Sequence, residues 1–385
     1  MALTVFWIVE LDLSPARLVL LAIVLEVTAL VSETPTGVVA DLHSRRRSLI
    51  IAQALMGVSL IWAFASTNFW LILPAQALVG FGWTFRSGAD TAWVTDEAMG
   101  RARSGDGPDM AEETVERILL QKHRSGMIFS LLTGPITIAA GWWWSVRGTG
   151  IVLGVVYTAM AFWMAAVMTE EHFTPGKERN AGFRQTLDEG FRVVRSRPRL
   201  RVLVVVVVLM AMGSVAFDRL GYVHFLDNLG VGDLDASGAS LLAIGIIFFA
   251  AAVGGIAVSL VTQRQLDSGH GVVRVGMGLF FFAMIGGAVA AATSAVVVIG
   301  LGMLLQDSMR EATWPIMEAW ANRDAPSEVR ATVHSMVGQT NSIGEIGGGL
   351  LFGAIAEATS VPVALAGGAA FFAVATLVAT RGVDK

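Results

Sequence analysis

Apolar runs of roughly twenty residues recur from one end of the chain to the other, separated by short polar breaks. Such a run at about 1.5 Å of rise per residue spans a hydrocarbon core of roughly 30 Å. The pattern predicts membrane helices over 16–39, 48–66, 69–93, 125–145, 149–168, 201–226, 238–262, 273–293, 295–320, 331–357 and 361–380. Before them, Met1 to Leu11 is an apolar fragment of roughly 16 Å, half a bilayer. A charged amino terminus near the bilayer centre is costly. The first half of helix one is therefore expected to be missing from the sequence as it begins.

The longest polar stretch divides the helices into two sets of six, counting the fragment. The expected organisation is an N-terminal helix bundle over 1–168, a cytoplasmic linker over 169–200 and a C-terminal bundle over 201–385. Within the linker, Phe183, Leu187, Phe191 and Val194 recur at helical spacing among charges, which predicts an amphipathic helix on the inner leaflet. A second insert, Met99 to Arg124, holds Ser-Gly-Asp-Gly-Pro and then a short helix from Met110 to His123. Either insert also reads as a solvated linker.

A weak internal repeat supports two halves. A shift of 218 carries Gly37 onto Gly255, Asp41 onto Ser259, Arg45 onto Gln263 and Arg46 onto Arg264. A shift of 220 carries Gly80-Phe-Gly82 onto Gly300-Leu-Gly302. Near-equal offsets at two separate places point to a duplicated six-helix unit.

Charge sets the orientation. Gly37 to Arg47 reads as a short loop with three consecutive arginines between two apolar runs. Placed inside, it puts 22 of the 27 lysines and arginines on the cytoplasmic side; only Arg17 and Arg147 fall outside, and Arg86, Arg219 and Arg310 fall within spans. That bias predicts a multi-pass protein of the cell membrane with both termini cytoplasmic. Of all residues 54% are hydrophobic and only 15% charged, and mean hydropathy is +0.64. Cysteine is absent and the six histidines are scattered, so no thiolate or histidine metal site is expected. No phosphate-cradling glycine loop is present, which argues against direct ATP coupling. Neither a cofactor nor a nucleic-acid partner is expected, and a monomer is.

Gly37-x-x-x-Asp41-x-x-x-Arg45-Arg46-Arg47 resembles the signature between helices two and three of the major facilitator superfamily. Further stretches resemble its macrolide- and tetracycline-efflux branch of proton antiporters. They are Glu26 with Glu33-Thr-Pro35, Gly80 to Trp93 with Asp96-Glu97, Ala216 to Leu220, and Arg330-Ala-Thr332 leading to Gly347–Gly349. Gln76 stands where many members carry arginine, and Gly134-Pro135 lacks the paired glycines of the antiporter motif in helix five. The resemblance implies an all-α membrane protein with two pseudo-symmetric six-helix bundles, a transporter rather than an enzyme. It also implies that Gly37, Asp41, Arg45, Arg46 and Arg47 form a cytoplasmic gate that latches the two halves.

Ionisable groups inside a membrane face a cavity or a partner. Arg86 with Asp90, and Asp307 with Arg310, are spaced to form structural ion pairs. Glu26, Glu311 and Glu345 have no cation close in sequence, so they are the candidates for proton coupling. Glu26 also reads as a hydrogen-bonded structural acid near a helix bend. The function expected is secondary active transport of small amphipathic molecules, by proton-coupled export. The alternatives are an uptake or metabolite permease of the same fold, or a non-transporting membrane protein that serves assembly or binding.

Overall fold

The computed structural model describes residues 2–87, 89–90, 92–97, 129, 133–173, 192, 194–229, 236–324 and 330–382. All regular structure among them is helical. A short α1 joins Ala2–Val5 to a π-turn at Phe6–Glu10. Then follow α2 (Pro15–Leu42), α3 (Arg45–Ala65), α4 (Phe69–Arg86), α5 (133–143) and α6 (Val146–Val167). The chain continues with α7 (Pro198–Leu229), α8 (Ala236–Asp267), α9 (Val272–Ala291) and α10 (Val296–Glu311, then Thr313–Asp324). It closes with α11 (Arg330–Ala358) and α12 (Val361–Ala379). Each apolar run read from the sequence falls on a helix where its residues are described; of 125–145, helix is described at 129 and 133–143. Seven helices among the described residues are long and apolar enough to cross a membrane. Their surfaces are apolar: Trp143 is 87% exposed, Val297 74% and Phe162 73%, an arrangement that water would penalise and lipid accepts. The protein is a multi-pass membrane protein.

Two expectations about helix ends change. Gly37 to Arg47 is not a loop: α2 runs to Leu42, and only His43 and Ser44 separate it from α3. Ser44 makes the sharp restart possible, because its side chain accepts from the Arg47 amide at 3.0 Å and caps α3. Helix ten is not continuous either, but breaks at Ala312. Pro315 supplies the reason. It has no amide hydrogen to give the Glu311 carbonyl, and its ring would clash there. The amphipathic linker helix (Phe183, Leu187, Phe191) and the Met110–His123 helix lie outside the described residues.

The chain divides into two compact units, one of residues 3–26 with 181–385, the other of 27–180. In the first, α7 is the central helix. Leu200, Leu203, Val207 and Met210 recur along one buried face, and Phe217 stacks on Phe372 of α12 at 5.8 Å. In the second, α3 and α6 meet backbone to backbone. A Cβ at Gly57 would sit 2.9 Å from the Gly154 carbonyl, so the crossing exists because neither position has a side chain.

Candidate functional site: a carboxyl pair and its arginine network

Glycine positions the acids of the first unit. On α11, a Cβ at Gly348 would meet the Met212 backbone of α7 at 2.5 Å, and one at Gly349 would meet Val19 and Ile23 of α2 at 3.1 Å. Small residues thus let α11 nestle between α2 and α7. Glu345 is one turn before Gly349, and Glu26 one turn after Ile23. The two carboxyl groups consequently fall within hydrogen-bonding reach of one another. Asn341, one turn earlier on α11, donates to Glu345 Oε1 at 2.9 Å. An ionised carboxylate is only an acceptor, so a bond between two carboxyls requires one proton between them.

A second cluster adjoins it. A π-turn at Phe217–Gly221 interrupts α7 and carries Asp218. Such turns appear often at functional sites because they re-aim side chains. Asp218 lies in electrostatic range of Glu345 and of Asp307. Arg310 Nη2 sits 3.3 Å from Asp218 and 3.4 Å from Glu311. Asp307, buried on α10, accepts from the Tyr222 hydroxyl at 3.4 Å.

The structure thus brings together five of the acids and cations singled out from sequence, in a different pairing. Arg310 ion-pairs with Asp218 and Glu311, whereas the sequence reading gave it to Asp307. Glu311 therefore has a cation that sequence spacing did not assign to it. Glu26 and Glu345 have each other. Asp218, Tyr222 and Asn341 are members that sequence reasoning did not select; the Asp218-Arg219 dipeptide within an apolar span was the only signal for the first.

The second unit carries two further groups. Arg86 of α4 stacks over the Trp83 ring at 4.4 Å, and Asp90 follows four residues on. Glu33 of α2 accepts from the Ser87 hydroxyl at 2.8 Å. At the α2–α3 junction, Arg45 pairs with Asp96 and donates to the Ala92 carbonyl at 3.2 Å. Arg46 gives its amide to Glu170 at 2.9 Å and its Nε to the Met168 carbonyl at 2.7 Å. The Ser44 hydroxyl also bonds Glu170. Gly37 lies within α2 and Arg47 in the first turn of α3; the side chain of Asp41 is outside the described residues.

Glu97 extends this junction. Its Oε1 accepts the amides of Glu171 at 2.8 Å and His172 at 3.0 Å, and its Oε2 lies 3.3 Å from the His172 ring. Burial works to raise its pKa. The His172 amide and ring, the Glu171 amide and the histidine charge outweigh burial and hold it below the ordinary 4.5. The sign follows from that. A depressed carboxyl stabilises the fold fully above its unfolded value, and the contribution fades as pH falls through the lower folded value. Amide exchange over 168–173, corrected for intrinsic rates, is expected to accelerate below about pH 4.5. In Glu97→Gln it should be fast at neutral pH as well. An exchange rate indifferent to both changes would exclude Glu97 as the fastening.

Comparison with known proteins agrees with this architecture. Among curated protein sequences, none matches the chain. Its fold is that of the nucleoside transporter NupG, with a TM-score of 0.76 at 16% identity, covering 100% of this chain and 94% of that one. A bacterial homologue of the human lysosomal transporter Spinster, inward-facing and unoccupied, gives 0.68 at 15% identity over 99% of this chain and 94% of that one. A POT family transporter in complex with 5-aminolevulinic acid gives 0.68 at 11% identity, covering 98% and 91%. The sequence profile described as Major Facilitator Superfamily matches residues 124–349, more than half of the chain. The chain belongs to the major facilitator superfamily.

Proposed function

We propose that this protein is a proton-coupled secondary transporter that exports small amphipathic molecules, with Glu26 and Glu345 as the proton-binding pair. The observation that carries the reading is the contact between these two carboxyls, on α2 and α11, well within apolar helices. One proton bridges the pair when it is closed. Separation of α2 from α11, or a cationic substrate group beside either acid, removes the bridge and releases the proton. Return of the pair to contact requires a proton from the other side. Proton and substrate then alternate at one place, which is what exchange demands. Three acids (Asp218, Asp307 and Glu311) lie around Arg310, and Glu26 and Glu345 adjoin them through Asp218, so the site's charge favours cationic over anionic cargo. Both termini lie on the cytoplasmic side in this reading, and the chain comprises two six-helix halves, 1–168 and 201–385.

The second reading, uptake of a polar metabolite, is favoured by the neutral hydrogen-bonding groups Asn341 and Tyr222 in the cluster. The likeness to a nucleoside transporter points the same way. The experiment is flux in proteoliposomes under an imposed pH gradient, against panels of lipophilic cations and of nucleosides. Accumulation of a cation driven against the proton gradient is the expected result. Flux of a nucleoside moving with protons would establish the second reading instead. No pH-dependent flux of any panel member would remove proton coupling.

A further inference from the structure

The helices α8, α9 and α10 of the first unit enclose a groove of about 530 Å³. Its walls are apolar. Val261 of α8 and Phe282 of α9 are 55% and 49% exposed along it, and Met309 of α10 forms part of its floor. Gly278 opens the middle: a Cβ there would meet nothing within 4 Å. Polar groups occur at one end only. Arg274, in the first turn of α9, is exposed and makes no hydrogen bond or ion pair with any described residue. His270 stands beside it, its Nδ1 near the Ser268 hydroxyl at 2.8 Å and the Gln265 carbonyl at 3.1 Å. Gly278 and Phe282 follow Arg274 by one and two turns, so the apolar wall extends roughly 12 Å inward from the charge.

We infer that this groove seats one anionic phospholipid of the cytoplasmic leaflet, an acyl chain along Val261, Gly278 and Phe282 and the headgroup phosphate on Arg274. A cation at the rim with a dry channel beneath it matches the sequence of chemistry in a phospholipid, charge outside and chain inside. A soluble anion would leave the apolar wall unused. A zwitterionic lipid would leave Arg274 facing a headgroup that carries its own cation. The end that holds Arg274 and Arg264 is the end where the chain concentrates its cations, and the cytoplasmic leaflet is the anionic one. This inference is independent of the carboxyl pair.

The test is native mass spectrometry of the purified full-length protein, titrated with phosphatidylglycerol and with phosphatidylcholine of identical chains. One cation at a membrane surface is worth about a fivefold preference, so wild type is expected to retain one phosphatidylglycerol at about fivefold lower lipid concentration. Arg274→Gln should erase that preference and leave phosphatidylcholine retention unchanged, while Arg274→Lys keeps it. Gly278→Leu, which has room for its side chain, should fill the channel and weaken retention of both lipids. Should that variant not fold, Val261→Trp narrows the same channel from α8. A preference that survives Arg274→Gln would overturn the inference. So would retention untouched by a filled channel, or displacement of the lipid by chainless glycerophosphate.

Discussion

Glu345→Gln and Glu26→Gln are each expected to abolish pH-driven flux while substrate exchange at equal pH is largely retained. Glutamine has the size and the hydrogen-bonding capacity of a protonated glutamate. In Glu345→Gln the amide still bonds Asn341, and in both variants the contact between α2 and α11 persists, so the fold has no reason to fail. The proton is what disappears. Without it the pair can neither bind charge from one side nor release it to the other, and a gradient has nothing on which to act. Loss of gradient-driven flux with intact exchange separates coupling from transport. Equal pH-driven flux in wild type and in both variants would sink the assignment, and loss of exchange as well would make the acids substrate ligands rather than proton carriers. The double variant tells whether they act as one site. If they do, it is no worse than either single change, because a unit that shares a proton is already lost when one member is neutral.

How far the sequence foretold this site depends on distance along the chain. The apolar runs and the Arg45–Arg47 signature are local patterns, and both led to the right helices. The break in α10 was equally local: Pro315 sits four residues past Glu311, and the rule for a proline inside a helix applies directly. Partners from other helices were not legible. Glu26 and Glu345 stand near opposite ends of the sequence, and each appeared to be an acid without company. Only the glycines at 348 and 349, read with the helices they admit, explain why α11 delivers Glu345 to α2. The same holds for the second unit. Arg45 and Arg46 stood out in the sequence, but Asp96, Glu170 and the Met168 carbonyl, which receive them, come from segments far along the chain. Arg310 has closer partners than the sequence suggested, for a related reason. Spacing of three residues brought Asp307 to mind, whereas the π-turn of α7 brings Asp218 closer, and nothing in the run Ala216 to Leu220 signals a π-turn.

Arg310→Met is expected to lower the stability of the protein by about 3 kcal/mol, near the lower end of what removing one partner of a buried ion pair costs. The lower end applies because Arg310 and Asp218 keep 31% and 33% of their side chains open. Methionine keeps the apolar stem of the residue and deletes the guanidinium, its charge and its donors. Asp218, Asp307 and Glu311 would then face one another on α7 and α10 with no cation among them. Adding Asp218→Asn should recover much of the loss, since it removes one of the uncompensated acids and leaves a side chain of the same shape. Arg310→Lys should fall between, because its ammonium keeps the charge but lacks the planar guanidinium's reach and five donors. Thermal unfolding in detergent, followed by a tryptophan or tag fluorescence signal, reads all three variants on one scale. The order expected is wild type, lysine, the double variant and then methionine. Arg310→Met unfolding together with wild type would mean that the network contributes nothing to the fold, and its charges would then have to be explained by transport alone.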